Sequence, residues 1–145
     1  MKRLLTMPFL FLGLLSMSVM AASAQDAQSI EAAIAQADQE FFKAVFDTCD
    51  ADAVGTMVTD DFEFFHDKLG QIADSGEAFV ALFRGACERQ AAGTDFKARR
   101  ELAEGSMAVF VMNNYGALQM GSHRFFRAEP GKADIPTEHA RFTHL

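Results

Sequence analysis

Tryptophan is missing from this sequence, tyrosine occurs once and cysteine only twice. Neither cysteine lies in a Cys-X-X-Cys pair or a recognisable nucleophile motif, which argues against a catalytic thiol. Positive charge is scarce too, with 13 Lys and Arg against 20 Asp and Glu and a formal charge of −7. A surface of that sign repels nucleic acid and anionic lipid, and no basic patch offsets it, so neither is expected as a partner. No apolar run reaches the roughly 20 strongly apolar residues of a spanning helix. No His-X-His or His-X-X-X-His spacing fixes a metal ligand set, so neither metal nor cofactor is expected. No repeat, low-complexity tract or linker divides the chain.

What is present begins with Met1-Lys2-Arg3, followed by an apolar run from Leu4 to Met20 that is broken by Thr6, Pro8, Gly13, Ser16 and Ser18. Ala22-Ser23-Ala24 then supplies small residues. This order is that of a secretory signal peptide over residues 1–24, cleaved after Ala24. Residues 25–145 are then one small domain, periplasmic or secreted, with no stable membrane insertion after cleavage. No cysteine beside the cleavage point could carry a lipid. Loss of Lys2 and Arg3 takes the charge to about −9. Cys49 and Cys87 would work where disulfides persist, and if they pair the pairing is forced; the alternative is two buried thiols.

Apolar residues Ile30, Ala33, Ile34, Ala37, Phe41, Ala44 and Val45 recur at spacings of three and four, which predicts an amphipathic helix over Ser29–Phe46 with Ser29 as N-cap. A short helix is expected over Ala51–Met57, a strand over Phe62–His66, and a third helix over Gly76–Gln90 capped by Ser75, with Phe79, Leu82, Phe83 and Ala86 on its inner face. Beyond Gly93 the pattern changes to strands, expected over Phe96–Glu104, Ser106–Met112, Gly116–Arg127 and Glu138–His144. Helices first and antiparallel strands after is an α+β order. The final residues, Arg141 to Leu145, read as mid-strand with no partner following, which raises the expectation of one further hairpin.

Three blocks carry a likeness. They are Phe41-Phe42-Lys43-Ala44 running into Asp47-Thr48-Cys49-Asp50; Asp60 to Gly70; and Arg99 to Ser106 together with Gly121 to Phe126. With them the chain resembles the nuclear transport factor 2-like superfamily, within it the SnoaL-like domains of the type termed domain of unknown function 4440. The resemblance runs from about Ala33 to Leu145. It implies a cone-shaped, strongly bent antiparallel sheet packed on a long N-terminal helix and two shorter ones, with a pocket at the sheet's open end and homodimers through the sheet. Members usually end in a Trp-containing hairpin, which this chain lacks. Asp67 falls where ketosteroid isomerases of the superfamily carry a proton-abstracting aspartate.

Alternation sends Phe62, Phe64 and His66 to one face of their strand and Glu63, Phe65 and Asp67 to the other, unless a bulge intervenes. Asp67 and His66 at the strand end are candidate general bases; the plainer role for Asp67 is to satisfy turn amides. His123 and Arg124 point to opposite faces. An inward His123 could meet His66 and His144 in a cluster suited to proton transfer. Arg100 could grip an anion, or simply pair with Glu63 or Glu104 across strands. Phe62, Phe64, Phe79, Phe83, Phe110, Phe125 and Phe142 are expected in the core.

Two functions fit. The first is an exported binding domain whose pocket, lined by Phe64, His66, Arg100, His123 and His144, holds a small apolar or aromatic acid. The second is a small isomerase, lyase or hydrolase with Asp67 or His66 as base and His123 or Arg100 steadying negative charge. Spacing alone does not choose between them.

Overall fold

The computed structural model describes residues 15–145 apart from Asn114 and Pro130, with side chains from residue 27. Residues 1–14, most of the segment read as an export signal, lie outside the described residues. Among the described residues, no helix is long and apolar enough to cross a membrane.

The architecture is α+β, with helices and two antiparallel sheets. Helix α1 spans Leu15–Phe42 and passes into a π-helical turn over Lys43–Thr48. The helix is therefore already formed at Ser29, which lies within it and does not cap it. Its inward face is turned from the expected one: Ala33 and Ala37 are exposed, while Ile34, Asp38, Phe41 and Phe42 face the protein. Helix α2 (Ala51–Gly55) is short and is capped by Asp50, whose carboxylate accepts the Ala53 amide at 3.0 Å. Val54 on α2 is completely buried. Helix α3 (Gly76–Ala91) starts where expected, with the Ser75 hydroxyl accepting the Ala78 amide at 3.2 Å. Leu82 is exposed, because the inner face of α3 follows Gly76, Phe79, Val80 and Phe83.

Between α2 and α3 a small sheet pairs β1 (Phe64–His66) with β2 (Gly70–Ala73), a strand the sequence did not announce. The register shifts between Phe64 and Phe65, an irregularity of the kind that simple alternation does not foresee. Phe62 and Phe64 both pack on Phe79, with ring centroids 4.8 and 5.6 Å away, so this hairpin is held to α3. The Cys49–Cys87 disulfide joins the end of the π turn to α3 with a Cα separation of 5.8 Å, as expected if the two cysteines paired.

The main sheet is organised by one strand. β5 (Gly116–Ala128) pairs with β4 (Ala108–Met112) along its first half and β3 (Lys97–Leu102) along its second, and on its other side with β6 (Ile135–His144). Where β3 hands over to β4, the Ser106 hydroxyl bridges the Ser122 amide and carbonyl at 3.1 and 3.2 Å. The register places Arg100 and Leu102, Gln119, Gly121, His123 and Phe125, and Ala140, Phe142 and His144 on one face. That face turns toward α1. Phe110 lies on the other and is 53% exposed, so it leaves the expected core. Phe42 and Phe46, not among the expected core residues, take its place.

Candidate functional site

A buried polar network occupies the centre of the inner sheet face. Arg100 on β3 makes a forked ion pair with Asp38 on α1, at 2.7 Å (Nη1 to Oδ2) and 3.1 Å (Nη2 to Oδ1), with side chains 5% and 2% exposed. Its Nε donates to His123 Nδ1 at 3.2 Å. Gln119 Nε2 donates to Asp38 Oδ1 at 3.0 Å and its Oε1 lies 3.0 Å from His144 Nδ1. Asp38, Gln119 and His123 are all buried, the last 8% exposed. Buried ions of this kind persist because each is paired and hydrogen-bonded.

Aromatic rings enclose the network. Phe125, His123, Phe142 and His144 form a row with successive centroids 4.4, 4.8 and 4.6 Å apart. Phe42 from α1 covers it and carries the Arg100 guanidinium 3.6 Å above its ring. Gly121 admits Phe142: a Cβ there would meet the Phe142 ring at 2.6 Å. Gly121→Ala should therefore cost about 1–3 kcal/mol by overpacking, read as a lower urea midpoint, whereas a loss under about 0.5 kcal/mol would show that the ring yields freely.

The network sets the protons. A guanidinium only donates, so His123 Nδ1 accepts and its proton sits on Nε2. The carboxylate of Asp38 only accepts, so the Gln119 amide nitrogen faces it, the amide oxygen faces His144, and His144 Nδ1 carries the proton. His123 therefore presents an N–H at Nε2, and His144 a bare nitrogen. Neither Nε2 has a hydrogen-bond partner among the described residues. Burial above all, then Arg100 and His144, pushes His123 down to about 4 against the pull of Asp38. Burial lowers His144 as well, with Asp38 opposing and Arg100 adding.

Of the residues singled out by sequence, the fold gathers Arg100, His123 and His144. It leaves His66, Asp67 and Phe64 elsewhere. Phe64 belongs to the α3 cluster. The Nδ1 of His66 lies 3.2 Å from both the Lys68 amide and the Asp67 carboxylate, and Asp67 is 81% exposed at its side chain. The turn amide is thus met by His66 and not by Asp67. Arg100 pairs with neither Glu63 nor Glu104, since Glu63 accepts from Gln71 and the guanidinium turns inward to α1. Two members escaped the sequence reading. Asp38 stands four residues after Ile34 and three before Phe41, a lone carboxylate on an apolar stripe, and Gln119 shares the two-residue period of Gly121, His123 and Phe125. Both were visible as polar interruptions of an inward face.

Two surface depressions of about 380 and 560 Å³ lie elsewhere, along α2 and α3. No cluster of His, Cys, Asp or Glu among the described residues could hold a metal. Compared with protein-family models and with curated proteins, the chain matches none.

Proposed function

We propose that residues 25–145 form an exported small-molecule-binding domain of the nuclear transport factor 2-like type, its sheet bent into a cone over a long N-terminal helix. One observation carries the reading. A buried network leaves one nitrogen on each of two imidazoles without a hydrogen-bond partner among the described residues, a donor on His123 and an acceptor on His144. A ligand with an apolar or aromatic body and a neighbouring donor and acceptor would complete both bonds. Arg100 already carries a carboxylate in Asp38, so the site is neutral overall and favours a neutral amide-like group over an anion.

The same opposed pair supports a second reading, an isomerase, lyase or hydrolase. Here His144 Nε2 would take a proton from the substrate while the His123 N–H steadies the oxygen on which charge develops. Neutral imidazoles suit that division, and the lowered affinity of both for protons keeps them neutral at pH 7.

Mass spectrometry of the natively purified mature protein tests both, since a carried ligand and a product differ. Titration with benzamide and benzoate, followed by NMR, tests the site. Benzamide should move the His123 and His144 ring signals more than benzoate does, and His123→Ala should abolish the response while Asp67→Ala preserves it. A response that depends on Asp67 and ignores His123 would overturn the reading.

A further inference from the structure

The turn ahead of the disulfide is wound in an uncommon register. Lys43–Thr48 is π-helical, and the Ala44 carbonyl accepts the amides of both Cys49 and Asp50, the latter at 2.9 Å. Cys49 is left-handed at φ 54°, a position helix ends usually give to glycine. Such backbone persists only where its surroundings impose it. Two attachments do so: the bond to Cys87 on α3, and Lys97 of β3, whose Nζ donates to the Asp47 carbonyl at 3.3 Å. The turn also carries Phe46, which stacks on Phe42 at 6.0 Å and lies 5.7 Å from Phe125 in the row beside His123. Cys49 and Cys87 both line the open depression of about 560 Å³, within reach of a small dithiol.

We propose that the Cys49–Cys87 disulfide is a redox pin: its reduction releases the left-handed Cys49, lets the π turn relax to α register, and withdraws Phe46 from the cover of the Arg100–His123 network. A dithiol is the reductant. Its thiolate attacks one Sγ and breaks the S–S bond, and its second thiol resolves the mixed disulfide. Two electrons and two protons pass to the cysteines, which leave as thiols, and the dithiol ends as a cyclic disulfide. Loss of the π insertion turns the following residues by roughly 100° about the helix axis, because one residue per turn is given up. This device goes beyond ligand binding and stands even if the network binds nothing.

The test follows the imidazole of His123 by NMR across pH in four proteins: disulfide-bonded, reduced with dithiothreitol, Cys49→Ser with Cys87→Ser, and Cys49→Gly with Cys87→Ser. Reduction and the serine variant should raise the His123 midpoint by at least one pH unit while the sheet's circular dichroism stays intact. The glycine variant should keep the disulfide-bonded midpoint, because glycine holds the left-handed turn without a pin. An unmoved midpoint in quantitatively reduced protein overturns the proposal. So does like behaviour of the serine and glycine variants. Collapse of the sheet signal on reduction overturns it as well, since the bond would then hold the whole domain and not one turn.

Discussion

Asp38→Ala should lower the free energy of unfolding by about 3–5 kcal/mol, a large share of what a domain of this size has to lose. The substitution removes little apolar contact. Its cost comes from Arg100, whose guanidinium stays buried between Phe42 and β5 without its carboxylate, and from Gln119, which loses an acceptor. Removing both charges together is different. Asp38→Leu with Arg100→Met replaces a desolvated pair by apolar chains of similar volume and should recover most of the loss, because the pair's attraction is set against its own dehydration. Urea unfolding of the parent and the two variants measures this. If Asp38→Ala costs less than about 1 kcal/mol, water reaches the guanidinium and the ion pair is not sealed from it.

The second large effect is on pH. His123 binds a proton at about 4 in the folded state and at its ordinary value near 6.5 when unfolded. As pH falls through 6.5 the unfolded chain takes up a proton that the folded one refuses, so stability falls, and the loss levels off below about 4 when both forms are protonated. Over that window the group contributes roughly 3 kcal/mol, fully present above pH 6.5, and His144 shifts in the same direction. Carboxylates also weaken the fold in acid, so the informative quantity is a difference between proteins. His123→Gln keeps a polar side chain but cannot titrate, and its stability between pH 7 and 4 should decline less steeply than that of the parent. Parallel curves would mean that His123 protonates freely in the fold.

Much of the architecture could be read from residue patterns, for identifiable reasons. Ser75 ahead of an apolar stripe marks the start of α3 because a hydroxyl must meet an orphan amide there. The two-residue alternation of Gln119, Gly121, His123 and Phe125 marks β5 because one face is buried. The orientation of His123 against Arg124 followed from the same rule. What was hidden is tertiary. Phe110 sits in the wholly apolar run Ala108–Met112, where alternation cannot choose a face, and β4 turns it outward, while the short β2 strand exists because the chain reverses in the turn between His66 and Gly70, closed by the Leu69 amide on the His66 carbonyl. Local rules offer Arg100 a partner on neighbouring strands, but its carboxylate lies 62 residues away on α1. His66 and His123 are both imidazoles at strand positions, but β1 pairs with β2 and stays outside the main sheet. Sequence ranks residue types well and pairs distant ones poorly.

The position of β5 bears on how the chain assembles. Among the described strands of the main sheet, β3, β4 and β6 each find their ladder on β5 and on no other strand. Two of the three are synthesised earlier than their common partner. β4 can close on Gly116–Met120 as soon as they are made, but the charged β3 has its ladder on the stretch from His123 to Ala128 and stays unpaired, within reach of chaperones, until translation has passed it. A sheet whose strands all wait for one central partner remains threadable through a narrow channel until that partner has been made.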